Sequence, residues 1–431
     1  MNWVFHRRML PFAVSLLFAS MTVHCIGGAE SPYPISGPAE DPASDTAWPN
    51  QTSRANSDPW LATHHDQIRV MRPRVLVINF HNKSPRAKLD KLVSGIIDAL
   101  AEGSRYHGYA NSNAPTFLQY HVFKFVDLRD PDSTQANSSK VPFKSGKTNG
   151  FNIDYNEFFS DTFARYYGVP DPKGGGRFLR LDELVAQGFV HEVWFLADQV
   201  KGFGAYEVVE PKPLYDASFQ KVGGRFVQAG NGGDRQQKWM GRSLRIGFVN
   251  VTRGIGCFLE SLSHGMEGNS TSQAIPYFTR YFSEYAGYDL KKRWGLPFST
   301  FYALPYDGKK VEYPRPDVAV ITWREQKITV TNYSAVGGNA HWPPNGRGHY
   351  DLDNTGPVLS TIKDWRIGSG PNGSDRVEPF TNEAFARYRK LAPDCMGAWL
   401  IYWRQNMPGL DNQHKDDEGR PMKNWWPFLF Y

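Results

Sequence analysis

The sequence predicts an α/β domain, a mostly parallel sheet flanked by helices, followed by a loop-rich, Trp-rich C-terminal part. Two observations carry this expectation. Short runs of consecutive apolar residues, the pattern of strands buried on both faces, alternate with stretches whose apolar residues recur at helical spacing. Apolar density then stays high from about Asp66 to Tyr431 without a second Pro/Ser-rich gap. One domain over residues 66–431 is therefore expected, with a C-terminal extension from about residue 310.

The first strand is predicted at Val75 to Phe80, and Leu89, Leu92, Ile96, Ile97 and Leu100 mark a helix from Lys88 to Ala101. Further strands are expected at Leu118–Val126, at His191–Leu196 after a helical Leu181–Gln187, and at Leu244–Val249. Ligands of such sheets sit outside the carboxyl ends of the strands, so chemistry is sought just after Phe80, Leu196 and Val249.

Ahead of this domain, Arg7 and Arg8 precede an apolar run from Met9 to Val23, and small residues follow at Gly27, Gly28 and Ala29. This is the pattern of a secretory signal over residues 1–27, which predicts a secreted, periplasmic or cell-surface protein. The run is too short to span a bilayer core of ~30 Å, so no membrane span is expected. Cys25 lacks the small residues that precede a lipidation site. Residues 28–65, rich in Ser, Pro, Ala and Asp, read as a disordered tether. Cys257 and Cys395 remain after the leader; their spacing matches no zinc or redox motif, and whether they pair stays open. The net charge of +6 is scattered along the chain, which argues against a nucleic-acid partner.

After Val249 the chain reads strand, turn, helix, and on the helix from Arg253 to Glu267 the residues Glu260, His264 and Glu267 fall on one stripe. Helical spacings of three and four residues bring side chains to about 5 to 6 Å, close enough to share a cation. The stripe also fits buried structural hydrogen bonding or a solvated face. Its position at the end of a buried strand favours function.

A second candidate segment runs from Gly337 to Asn354. Glycines and Pro343-Pro344 define its path, and Asn339, His341, Asn345, His349 and Asp351 crowd it with groups able to bind substrate or ligate. Asp351, Asp353 and Asn354 offer oxygen ligands for calcium, although the EF-hand spacing is missing. Asp198 sits at a strand's carboxyl end as a catalytic candidate or a simple turn cap. The competing expectation is carbohydrate binding or glycoside cleavage. With 13 Trp and 21 Tyr in the chain, Trp399, Trp403, Trp425 and Trp426 would form a stacking platform, and Glu260 and Glu267 the carboxylate pair.

Arg253-Gly254, Leu262 to Glu267, Gly338 to Asn345, Tyr350-Asp351 and Asn424-Trp425-Trp426 together resemble a group of uncharacterised secreted bacterial proteins over about residues 190–427. That group carries a similar His-x-x-Glu helix and Asn-x-His-x-Pro-Pro-Asn loop, and the resemblance implies export but no reaction. More distantly the chain is similar to zinc carboxypeptidases, whose His-x-x-Glu pair and remote third histidine would correspond to His264, Glu267 and His341. It departs from them in placing the pair after the fourth strand and in the shorter gap to His341. The expectation is a hydrolase in which His264, Glu267 and His341 hold a divalent metal, zinc above others, with Glu260 as general base and a peptide, ester or carbohydrate as substrate. A non-catalytic secreted binding protein is the remaining alternative.

Overall fold

The apolar run at Val75 lies in the middle of the main sheet of this computed structural model, which describes residues 37–54, 57–146, 150–231, 237–238, 240–368 and 375–431. The strands are β1 (Arg74–Asn79), β2 (His121–Asp127), β3 (Glu192–Ala197), β4 (Val208–Val209) and β5 (Arg245–Asn250). Their order is β2-β1-β3-β5-β4, and every pairing is parallel except that of β4 with β5. Side chains of a strand alternate between faces, and both faces are covered here. Val75, Val77, Trp194, Leu196 and Val249 pack with Leu89, Val93 and Ile96 of α1 (Arg86–Gly103). Leu76, Ile78, Val193, Phe195 and Phe248 pack on the other side with Phe163, Leu181 and Leu184. This double burial is why the strands read as continuous apolar runs.

The sheet leads into α2 (Ile255–Thr271) and α3 (Pro276–Tyr285). A three-stranded antiparallel sheet follows, formed by β6 (Val311–Arg315), β7 (Val318–Trp323) and β8 (Gln326–Thr331), and it packs with Phe298, Phe301 and Trp342. Near the C-terminus α4 (Gly397–Gln405) is buried along its whole length. Among the described residues no helix is long and apolar enough to cross a membrane.

Residues 37–54 and 57–65 correct the expectation of a disordered tether. Ala47–Trp48 pairs in parallel with Val70–Met71, and the Trp48 ring lies 4.5 Å from that of His191 and 5.2 Å from that of Phe430. Ser57–His64 is a helix that buries Trp60 and Leu61, and Asp41 accepts from Arg74 in a buried ion pair. Composition misleads here because a few large anchors suffice once the polar groups between them bond to the chain itself, as Asn50 does with Ala47 and Ser53. The expected leader, Cys25 and residues 28–36 lie outside the described residues.

Charge is also built into this core. Arg245 is buried, donating to Glu210 at 3.0 Å and to the Leu429 carbonyl at 3.0 Å, with Glu192 3.5 Å away. Glu192 in turn accepts from the Tyr120 hydroxyl and the Trp194 indole. Burial also holds His65, His107 and His414 neutral, at about 3, about 4 and about 3. The unfolded chain protonates these groups below about 6.5 while the fold does not, so stability is full above that value and falls as the pH drops. Each histidine is expected to remove up to about 1.4 kcal/mol per pH unit between about pH 6.5 and about pH 4. Urea melts at neutral and at mildly acid pH check this, and His414→Asn should shrink the acid loss. An acid-insensitive midpoint would contradict it.

Candidate metal centre

Helix α2 begins where β5 ends, and Asp394 holds its first turn by accepting from the backbone N–H of Gly254, Gly256 and Cys257 at 3.0, 2.9 and 3.0 Å. The stripe of Glu260, His264 and Glu267 is not a solvated face. Glu260 and Glu267 are 5 and 6 % exposed. Across from them, the loop carrying His341 is fastened by its own groups. Asn339 accepts from the His341 N–H, Trp342 donates its indole N–H to the Gly346 carbonyl, and Asn345 and Asn354 exchange side-chain-to-carbonyl bonds. Gly338 takes a positive φ of 72°, and a Cβ there would sit 2.3 Å from the Trp342 carbonyl oxygen.

Helix and loop meet at two imidazoles. His264 Nε2 and His341 Nε2 lie 2.9 Å apart, and Glu260 Oε1 is 3.2 Å from His341 Nε2 and 3.8 Å from His264 Nε2. The partners on the far side of each ring assign the tautomers. His264 Nδ1 gives its hydrogen to Glu267 at 2.7 Å. His349 Nε2 donates to the Leu304 carbonyl at 3.1 Å, which leaves His349 Nδ1 to accept from His341 Nδ1 at 3.2 Å. With both rings bonded through Nδ1 on their far sides, the two Nε2 atoms and a carboxylate oxygen converge on one point, and a single shared proton accounts for the 2.9 Å contact. A cation could take that proton's place.

Burial alone would pull the His264 imidazole down, yet Glu267 and Glu260 beside it hold it well above its ordinary range, at about 10. Burial would raise Glu260, and the two histidines instead hold it down at about 2. The ionised carboxylates thus keep a proton on His264, and at the convergence of Glu260, His264 and His341 a metal ion could stand in that proton's place. Among the described residues two sets of side chains could hold a metal: Glu260, His264 and His341, and Cys257, Glu260 and Cys395. Cys257 and Cys395 are not bridged.

Several expectations are corrected. Glu267 does not converge with the other ligands, because its oxygens are taken by His264, the Tyr302 hydroxyl at 3.0 and 3.1 Å and the Ala340 N–H at 3.0 Å. It orients the His264 ring from behind, a recurrent arrangement around metal-bound histidine. Glu260, expected as a general base, stands in the ligand set. Asp351 is paired with Arg347 at 2.7 Å, so the calcium set with Asp353 and Asn354 does not form. Asn339, Asn345 and Asp351 fasten the loop instead of facing a substrate, and His349 stands behind His341. Asp198 accepts from the Thr252 hydroxyl at 3.3 Å and bonds through its backbone to Asn137, outside both metal-binding sets. Trp399, Trp403, Trp425 and Trp426 are all buried, which removes the stacking platform and the substrate role of Trp425 and Trp426.

The aromatic residues that do reach the site are tyrosines. His264 and His341 open onto a cleft of about 450 Å³ lined by Glu207, Asn231, Tyr288, Tyr302, Tyr306 and Tyr350. Tyr306 stacks on His349 at 3.9 Å, and Tyr350 lies 4.1 Å from the His341 ring. Tyr350 carried a signal as part of the motif after His341, and Glu207 as part of the polar segment after the strand that ends at Leu196. Tyr302 carried none. No family model, curated protein or solved structure matches the chain.

Proposed function

We propose that this chain is an exported, metal-dependent hydrolase in which Glu260, His264 and His341 hold one divalent ion, zinc above others. The observation that supports it is the convergence of His264 Nε2 and His341 Nε2, 2.9 Å apart, with a Glu260 oxygen 3.2 Å from the latter, each ring being held by a hydrogen bond at its Nδ1. Imidazole and carboxylate donors in a set of three with an open side suit zinc, and a water on such an ion has its pKa lowered toward ~7. The open side is the tyrosine-lined cleft. Tyr306 and Tyr350, both exposed, present flat faces to a peptide, ester or sugar, and Glu207 supplies a carboxylate at the rim. The leader-like first 27 residues support export.

The test is a melting comparison of wild type and His264→Ala, each in excess zinc and in chelator, with metal analysis of both. At zinc about 100 times its dissociation constant, wild type should gain about 2.7 kcal/mol over the chelated state, and the variant nothing. Equal wild-type midpoints in zinc and chelator, with the variant simply destabilised by the unpaired Glu267, would leave a structural hydrogen-bond cluster and end the metal reading.

A further inference from the structure

Glu260 belongs to both metal-binding sets, and only half of its carboxylate is accounted for by the histidines. Oε1 faces the two Nε2 atoms, whereas Oε2 is buried without any hydrogen-bond partner. A buried, unpartnered carboxylate oxygen is costly to leave unmade. Cys257 lies one helical turn before Glu260 on the same stripe of α2. Cys395 reaches it from the turn before α4, where it holds a positive φ of 46°, a conformation that a non-glycine residue keeps only when its surroundings impose it. What imposes it is visible one residue earlier. Asp394 is bound to three N–H groups at the start of α2, and this delivers the neighbouring sulfur to the side of Cys257. The two sulfurs and a Glu260 oxygen lie within 4.8 Å of one another. Arg253 donates from Nη2 to the Cys395 sulfur at 2.8 Å.

We propose that Cys257, Cys395 and Glu260 hold a second, thiophilic divalent cation, so that Glu260 bridges two ions and the centre is binuclear. The inference rests on the function proposed above only through Glu260. The chemistry of the donors selects the ion: two sulfurs and a carboxylate suit zinc and disfavour magnesium or calcium. Charge also fits, since two thiolates and a carboxylate balance a divalent ion together with Arg253. Two ions side by side would clamp both the attacking and the leaving oxygen of a displacement.

The experiment uses the full chain, reduced, stripped of metal and reloaded with cobalt(II), which absorbs by charge transfer when thiolate is bound and lacks that band with imidazole and carboxylate alone. Wild type should take up two equivalents and show the band. Cys257→Ser/Cys395→Ser should keep one equivalent and lose the band. His264→Ala/His341→Ala should keep the band and lose the other equivalent. Alkylation of wild-type thiols, slowed by added metal, gives the same answer without any variant. One equivalent with no band in wild type overturns the second site and leaves the histidine site standing. No uptake at all overturns both. Thiols found joined in a disulfide before reduction, with no alkylation of the isolated protein, also overturn it.

Discussion

Arg245→Ala is expected to cost about 3 to 5 kcal/mol of folding stability, the size seen when one partner of a buried ion pair is removed. The guanidinium serves Glu210, Glu192 and the Leu429 carbonyl at once, at sites from which water is excluded. Burial already pushes Glu192 above its ordinary range, and Arg245 opposes that push. With Arg245 gone, two buried carboxylates are left to share Lys212, whose Nζ is 3.5 Å from Glu210. They must take up protons or drag in water. The cost should shrink in Arg245→Met/Glu192→Gln, which removes Arg245 and Glu192 together and leaves Glu210 paired with Lys212. Urea denaturation of both variants checks this, and a single variant no worse than the double would show that the network contributes little.

Trp399→Ala is expected to cost a similar amount, about 3 to 5 kcal/mol, because a fully buried indole leaves a cavity that close-packed neighbours cannot fill. Its effect should reach the candidate metal site as well. The Trp399 indole N–H donates to the Asn339 carbonyl at 3.0 Å, and that of Trp403 to the Gly338 carbonyl at 3.0 Å, so α4 fastens the loop two residues before His341. Trp399→Phe keeps most of the packing and loses only the bond, for about 1 to 3 kcal/mol. Hydrogen exchange of the 338–342 amides should quicken in both variants, and zinc affinity should fall. Unchanged exchange in that loop would separate the indole from the site.

The strands were legible because burial on both faces leaves a continuous apolar run, and Val75–Phe80 matches β1 to within one residue. The polar stripe on α2 was legible because helical spacing is local, and His341 because its loop is dense in polar groups. The division of labour within the stripe was not legible. Glu260 and Glu267 look equivalent along the helix, and what separates them is Tyr302 and the Ala340 N–H, brought in from distant positions to occupy Glu267. The tryptophans looked like a sugar platform because composition counts aromatic faces without saying which way they turn. Cys257 stood three residues before Glu260 in plain view, but its partner Cys395 is delivered by the Asp394 cap, a contact between distant parts of the chain.

The wide separation of the ligands along the chain has a kinetic consequence. Glu260 and His264 are present on one helix as soon as it forms, but His341 arrives from a loop closed much later in the sequence. A partly folded chain therefore offers an ion no better site than a free helix would, since closing so long a loop is itself an entropic expense. The metal would bind after the rate-limiting step and act on the native side of the barrier. Chelation should then leave the refolding rate nearly unchanged and hasten unfolding, so that a bound ion would behave as a latch on a finished structure and lengthen the lifetime of the native state.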